Sequence, residues 1–192
     1  LPIQNSYAPN LSLGQYANAA AGLSGQLFQG GNQAVVATAL AAGLPTTYTG
    51  GLVLANPIAS TVSLRLQKAK CVFIVAQTNA ALISIGVGYS ATPLAGTLTA
   101  VASIPGTSNA SPAVAQGLLY SSASVTLPAA PYLAKIIGAV DTGALTTEIN
   151  SPLLEADIQG AIILPPGGYA VFLSSAAGTA SSFFGSFVWV EA

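Results

Sequence analysis

Ile162-Ile163-Leu164-Pro165-Pro166-Gly167-Gly168-Tyr169-Ala170-Val171-Phe172-Leu173 is the stretch whose reading decides the fold. Two runs of branched and aromatic residues, the side chains that suit a pleated surface, flank two prolines and two glycines. Proline fixes φ and removes a donor, and glycine supplies the positive φ of tight reversals, so the chain must turn between the runs. The unit predicts two neighbouring antiparallel strands. Downstream, Phe187-Val188-Trp189-Val190 reads as a closing strand with Phe187 and Trp189 on one face.

Upstream the same grammar repeats. Strands are predicted at Leu82–Val87, Leu94–Ala102, Ser124–Leu127 and Leu133–Val140, with loops of Ala, Ser, Gly and Thr between them. Leu52-Val53-Leu54 ends at the turn dipeptide Asn56-Pro57. Val62, Leu64 and Leu66 alternate with Ser63, Arg65 and Gln67, the pattern of a strand with one wet face. Lys68 and Lys70 then fall on the parity of Leu64 and Leu66. A bulge near Gln67–Ala69 would restore the facing, as where a strand bends between sheets. Val72–Val75 is apolar on both parities and predicts a central, doubly covered strand, with Cys71 as a small buried hydrophobe. Ser151–Gln159 reads as one helical turn at most. The fold predicted is all-β: short strands in a jelly-roll-like antiparallel β-sandwich over residues 46–192, preceded by an extended N-terminal arm over 1–45.

The arm is uncharged, as is everything before Arg65, and Gly, Asn and Pro space out its apolar anchors Leu1, Ile3, Tyr7, Leu11, Leu13, Tyr16, Leu27 and Phe28. These anchors read either as side chains that dock on neighbouring subunits or as an irregular first layer packed on their own domain. Alanines at 17 and 19–21 favour a short helix that Gly22 and Gly25 would stop.

Only nine of the 192 side chains are formally charged, where a soluble protein of this length carries about 48. A compact monomer of this mass exposes about 8,300 Å². That leaves on the order of one charge per 900 Å², a poor coat for a free protein. A net charge of −1 gives no footprint for phosphate backbones, so no nucleic-acid partner is expected. A hydrophobic content of 52% argues against disorder. Mean hydropathy is +0.67, yet no run of about 20 apolar residues occurs. The uncharged stretch from Cys71 to Ala134 is broken by five prolines. Neither a signal peptide, a membrane helix nor the long regular alternation of a membrane barrel is read, and no membrane partner is expected.

Catalytic residue types are scarce. With no His and one Cys, an intrachain disulfide, the usual zinc sets and a Ser-His-Asp triad are all excluded. Lys135 lacks the strained, exposed Ser that a Ser-Lys dyad needs. Glu155 and Asp157, two apart, would share one side of a strand, but a metal needs more ligands than two. Arg65, Lys68 and Lys70 form a basic group that could pair with Glu155 or Asp157 across a subunit boundary, or simply keep one sheet face wet. Tyr89, Tyr120, Tyr132 and Tyr169 could stack on sugars if they shared an exposed face; aromatics in strands are more often core. No cofactor, metal or catalytic residue is expected. So few titratable groups predict stability that is flat between about pH 5 and 9.

Tyr48-Thr49-Gly50-Gly51-Leu52-Val53-Leu54-Ala55-Asn56-Pro57, the strand with Leu64 and Leu66, Ile163-Leu164-Pro165-Pro166-Gly167-Gly168-Tyr169 and Phe184-Gly185-Ser186-Phe187-Val188-Trp189 together resemble a small protein family of tailed-phage genomes. The resemblance spans roughly residues 48 to 191. It is to trimeric head-decoration (cement) proteins, sandwich folds that sit on a capsid shell and clamp adjacent capsomers. It implies a homotrimer on the outer surface of the virion, with the major capsid protein as partner and no catalytic residues. Other proteins of this look are fibre or tail components, which implies the alternative of a module binding host glycan. A grouped, exposed set of Tyr and Trp would favour that alternative; a dry, apolar sheet face with an ordered arm would favour the decoration protein.

Overall fold

The computed structural model describes residues 26–32, 43, 51–75, 79–97, 100–101, 104–105, 114–122, 124–127, 129–140, 153–176 and 182–192. Among the described residues there is no helix; there are thirteen strands. In chain order they are β1 (Leu27–Gly31), β2 (Gly51–Ala55), β3 (Leu64–Val75), β4 (Ala81–Tyr89), β5 (Ala95–Thr97), β6 (Ala100–Val101), β7 (Ile104–Pro105), β8 (Leu118–Ser122), β9 (Ser124–Thr126), β10 (Tyr132–Val140), β11 (Leu154–Leu164), β12 (Gly168–Ser174) and β13 (Ser182–Glu191). A first sheet runs β11-β3-β13-β1-β7, a second runs β10-β4-β12-β2-β8-β6, and β5 pairs with β9. Every pairing is antiparallel. The all-β sandwich expected from the sequence is thus present. Its strands are longer than expected, with twelve residues in β3 and eleven in β11.

Aromatic rings close the space between the sheets. Phe172 on β12 stacks on Phe187 of β13 at 4.8 Å between centroids and meets Phe183 edge-on at 5.9 Å. Phe183 also packs on Phe73 of β3, and Phe28 of β1 stacks on Trp189. Each such ring, fully buried, contributes about 1.5–3 kcal/mol. Gly185 leaves the room: a Cβ there would stand 2.9 Å from the Phe172 ring.

The Pro-Pro-Gly-Gly unit turns the chain, but not as a hairpin. Its flanks lie in different sheets: β11 pairs with β3, and β12 with β4 and β2. Gly168 N–H donates to Pro165 O at 2.7 Å, with Pro166 and Gly167 between them and Gly167 at φ +86°. That is the signature of a type II turn, whose twist splays the flanking strands apart instead of pairing them. Asn56 fastens the corner from the second sheet. Its N–H donates to Gly168 O, its carbonyl accepts from Gly167 N–H, and its side-chain amide donates to Leu164 O and Val62 O.

The parity slip in β3 is real. Opposite β13, Lys68 faces Val188 and Leu66 faces Trp189, leaving Gln67 as the extra residue. Opposite β11 the pairing jumps from Asp157 to Ile162 across the same point, with Gln159 and Gly160 at positive φ. Leu64, Leu66, Ala69, Cys71 and Phe73 are therefore all buried. The strand does not bend between sheets, however: it pairs with β11 and β13 of the first sheet on both sides of the bulge.

Two other expectations are corrected. Leu154–Gln159 is strand, not a helical turn, because Leu154, Ala156 and Ile158 alternate inward with Glu155, Asp157 and Gln159 outward. The sandwich also begins before residue 46: Leu27 and Phe28 belong to β1, between β13 and β7. Phe28 is buried in its own core, so it is not an anchor for a neighbour. The other arm anchors, Leu1, Ile3, Tyr7, Leu11, Leu13 and Tyr16, lie outside the described residues.

Candidate functional site

Pairing of β11 with β3 sets Glu155 opposite Lys70 and Asp157 opposite Lys68. Glu155 Oε1 and Oε2 each take an ammonium at 3.0 Å, from Lys68 and Lys70 respectively. The hydrogen bond from Lys68 is the main cause that holds the Glu155 carboxyl below its ordinary range; the bond from Lys70 adds to it. The same Lys68 bond raises that ammonium above its own ordinary value. These groups, expected to meet across a subunit boundary or to wet a face, are paired within the chain. Asp157 accepts from Gln159 Nε2 at 2.9 Å, and Asp157 O accepts from Lys135 Nζ at 2.7 Å. Arg65 is exposed opposite Ile163. Exposed pairs of this kind add little stability. They hydrate one flank.

The margin of the second sheet that ends, among the described residues, in β10 is different. β10 is a nine-residue edge strand, exposed over its first five residues. Its partners in register include Gly86 for Leu133, Ser84 for Ile136 and Leu82 for Ala139. Leu82, Leu133 and Ile136, between 43% and 54% exposed, make an apolar strip along this margin. Lys135, the only ionic side chain of β10, donates to β11 across the gap between the sheets. Over the neighbouring strand the outer face is already covered: all of β12 is buried, Tyr169 Oη donates to Ala129 O, and Pro131 lies over Gly86.

A pocket of about 270 Å³ opens at the end of the sandwich beside the Pro-Pro-Gly-Gly corner. The turn after β2, the segment after β4, β8 and the start of β12 wall it, and no charged residue lines it. One wall is tied down by a buried carboxylate. Glu191, 7% exposed, accepts from Gln116 N–H at 3.0 Å, Gly117 N–H at 2.8 Å and the Trp189 indole at 3.2 Å. Gln116 Oε1 in turn accepts from Thr61 N–H at 3.0 Å. Sequence reasoning missed Glu191, although the signal exists: it is the only charge after Asp157, and it lies two residues beyond Trp189, on the core parity of β13. The strip and the pocket were missed as well.

No protein-family model, no curated protein and no solved structure matches this chain. Its chemistry must be read from its own residues. Trp189 and Tyr169 are fully buried, Tyr120 is half-buried, and only Tyr89 and Tyr132 are well exposed, so the tyrosines singled out in the sequence do not share one open face. Among the described residues no three of His, Cys, Asp and Glu gather as a metal site. Cys71 is 1% exposed, and burial pushes its thiol up to about 12, the behaviour of a packed hydrophobe rather than of a nucleophile.

Proposed function

We propose that this chain is a structural virion protein: a capsid decoration (cement) protein that reinforces a phage head as a homotrimer by bridging adjacent capsomers of the major capsid protein. The observation that carries the reading is the margin of the second sheet that is unpaired among the described residues, with its long edge strand, three outward apolar side chains and one ammonium tied to β11. Proteins that stay single blunt such an edge with charge, proline or bulges. β10 has two bulges and Lys135, which discourage strand-to-strand pairing, but its outward side chains Leu133 and Ile136 leave an apolar face for side-chain contact. Here the described surface charges gather instead on the β3–β11 flank and at Lys135. An exterior this poor in charge gains by being covered by copies of itself or by a lattice.

The strand order supports the jelly-roll part of the reading. Without the strands between β4 and β10, the sheets run β11-β3-β13-β1 and β10-β4-β12-β2, so the chain crosses between them at every step but the middle one. Two interlocked Greek keys give that wiring, which capsid and lectin domains share. Fold alone does not choose between the two uses. Burial of Trp189 and Tyr169 removes the best sugar-stacking rings and favours the head.

The test is sedimentation of the purified chain, followed by binding to empty heads and location by electron microscopy. A trimer that binds heads, with affinity little changed between low and high salt, is the expected result. A soluble monomer with no affinity for heads overturns the proposal. Deletion probes of the arm should stop at residue 25, because removing 1–45 would also remove β1.

A further inference from the structure

We infer that the 270 Å³ pocket is the receptor for residues 1–25 of a neighbouring copy, an inference that rests on the self-assembling reading above and names the contact through which one copy holds the next.

The pocket is built for an apolar guest. Ile58, Pro93, Leu94, Leu118, Tyr120 and Tyr169 are among its lining, and Ile58 and Leu118 stay more than two-fifths exposed at the ends of their own elements. A cavity of 150 Å³ with walls of this kind holds a benzene ring. At about 270 Å³ there is room for one tyrosine or leucine side chain with some of its backbone. Residues 1–25 offer such side chains in Tyr7, Leu11, Leu13 and Tyr16, and carry no charge that the uncharged walls would have to desolvate.

Position supports the match. The chain enters the described fold at Gln26, whose carbonyl accepts Glu191 N–H at 3.0 Å. Glu191 holds Gln116 and Gly117, and Leu118, the next residue, lines the pocket. Gln116 bonds to Ser60 and Thr61, directly after the lining residues Ile58 and Ala59. The exit of the N-terminal segment and the pocket thus share one end of the sandwich. Length puts another copy within reach of the segment. Twenty-five residues reach up to about 85 Å, whereas β3, the longest strand, spans about 40 Å. Fully extended, that reach is about twice the length of the domain, enough to meet the pocket of a neighbouring copy.

Cross-linking on the full chain tests this. A photoreactive benzophenone amino acid replaces Ile58, or the exposed Ala59 should the first variant melt early. Isotope-labelled and unlabelled chains are co-assembled, irradiated and mapped by mass spectrometry. The expected products join position 58 to residues 1–25, with mixed heavy–light pairs. Products that map elsewhere, products only within one chain, or an oligomer that yields none overturn the inference. Head binding without these products sinks the receptor and spares the cement reading. Heavy–light products in a protein with no affinity for heads do the reverse.

Discussion

Replacing Glu191 probes the joint between the last strand and the pocket wall. Its carboxylate receives three N–H groups at 2.8–3.2 Å while 7% exposed, so water cannot substitute for it. Hydrogen bonds to a charged acceptor contribute about 1.5–3 kcal/mol each, and a buried donor left without a partner costs about 1–3 kcal/mol. In Glu191→Gln one oxygen survives, while the new NH₂ confronts a backbone N–H that also donates. The neutral side chain is cheaper to bury, which offsets part of the loss, so the net cost is about 2 kcal/mol. Glu191→Ala orphans all three donors, and the cost rises to about 3–4 kcal/mol. For a chain of this size those values lower Tm by about 4–8 °C and 6–16 °C respectively. Urea unfolding gives the free energies, and hydrogen exchange at Gln116 and Gly117 gives the local effect, which should be faster exchange at those amides than at β3. If both variants unfold within 0.5 kcal/mol of the parent, the carboxylate is not the tie described here.

Between about pH 5 and 9 stability should be flat: the contribution of Glu155 is lost only as pH falls through its lowered folded value, and that of Lys68 only as pH rises through its raised one. Above about pH 9 the unfolded Cys71 thiol ionises while the buried one, pushed up to about 12, does not, so stability should fall by up to about 1.4 kcal/mol per pH unit. Cys71→Val should remove that slope between about pH 9 and 10 in alkaline urea melts, before Tyr120 and Tyr169, whose phenols burial also raises, add theirs, and an unchanged slope in that window would refute the assignment. Deleting Gln67 should leave a folded chain, because Leu64, Leu66, Ala69, Cys71 and Phe73 then fall on one face of a regular strand, and Gln67→Ala should cost no more than a few degrees of Tm; an insoluble deletion variant would disprove the bulge. In the assembled form Lys68 and Lys70 should still react with amine-specific reagents at the rate seen in the free protein, as mass spectrometry of labelled particles can check.

What the sequence made legible follows from the range of the forces involved. Alternation is local, so the strand cores around Leu52–Leu54, Leu82–Val87 and Tyr169–Leu173 and the slip at Gln67 could be read from neighbouring residues. Sheet membership is not local. The Pro-Pro-Gly-Gly unit announces a turn, but whether its arms pair or part depends on the type II twist and on Asn56, 108 residues from the Leu164 carbonyl it holds. Leu154–Gln159 was misread for a related reason: its inward residues are Leu, Ala and Ile, two of them as comfortable in a helix as in a strand, and only the facing strand β3 decides. β1 escaped notice because Leu27-Phe28-Gln29-Gly30-Gly31 has a single strong strand former, and Trp189 across the sheet gives it its place.

The placement of the few charges carries more than their number does. Of the nine, seven lie on described residues. Glu191 is spent inside, on backbone amides. Arg65, Lys68 and Lys70 line β3, Glu155 and Asp157 face them from β11, and Lys135 reaches over to β11 from the neighbouring edge. Apart from Lys135, then, the described parts of the second sheet carry no formal charge, nor do β5, β9 and the short strands at the far edges. Had scarcity of charge been mere drift, the remaining ions would be scattered. Among the described residues, their concentration on one flank leaves the strip of Leu82, Leu133 and Ile136 with only Lys135 near it and the pocket lining with no charge. A surface divided in this way has one side suited to water and others suited to contact, and that division, rather than low charge alone, is what the proposed place in a shell would use.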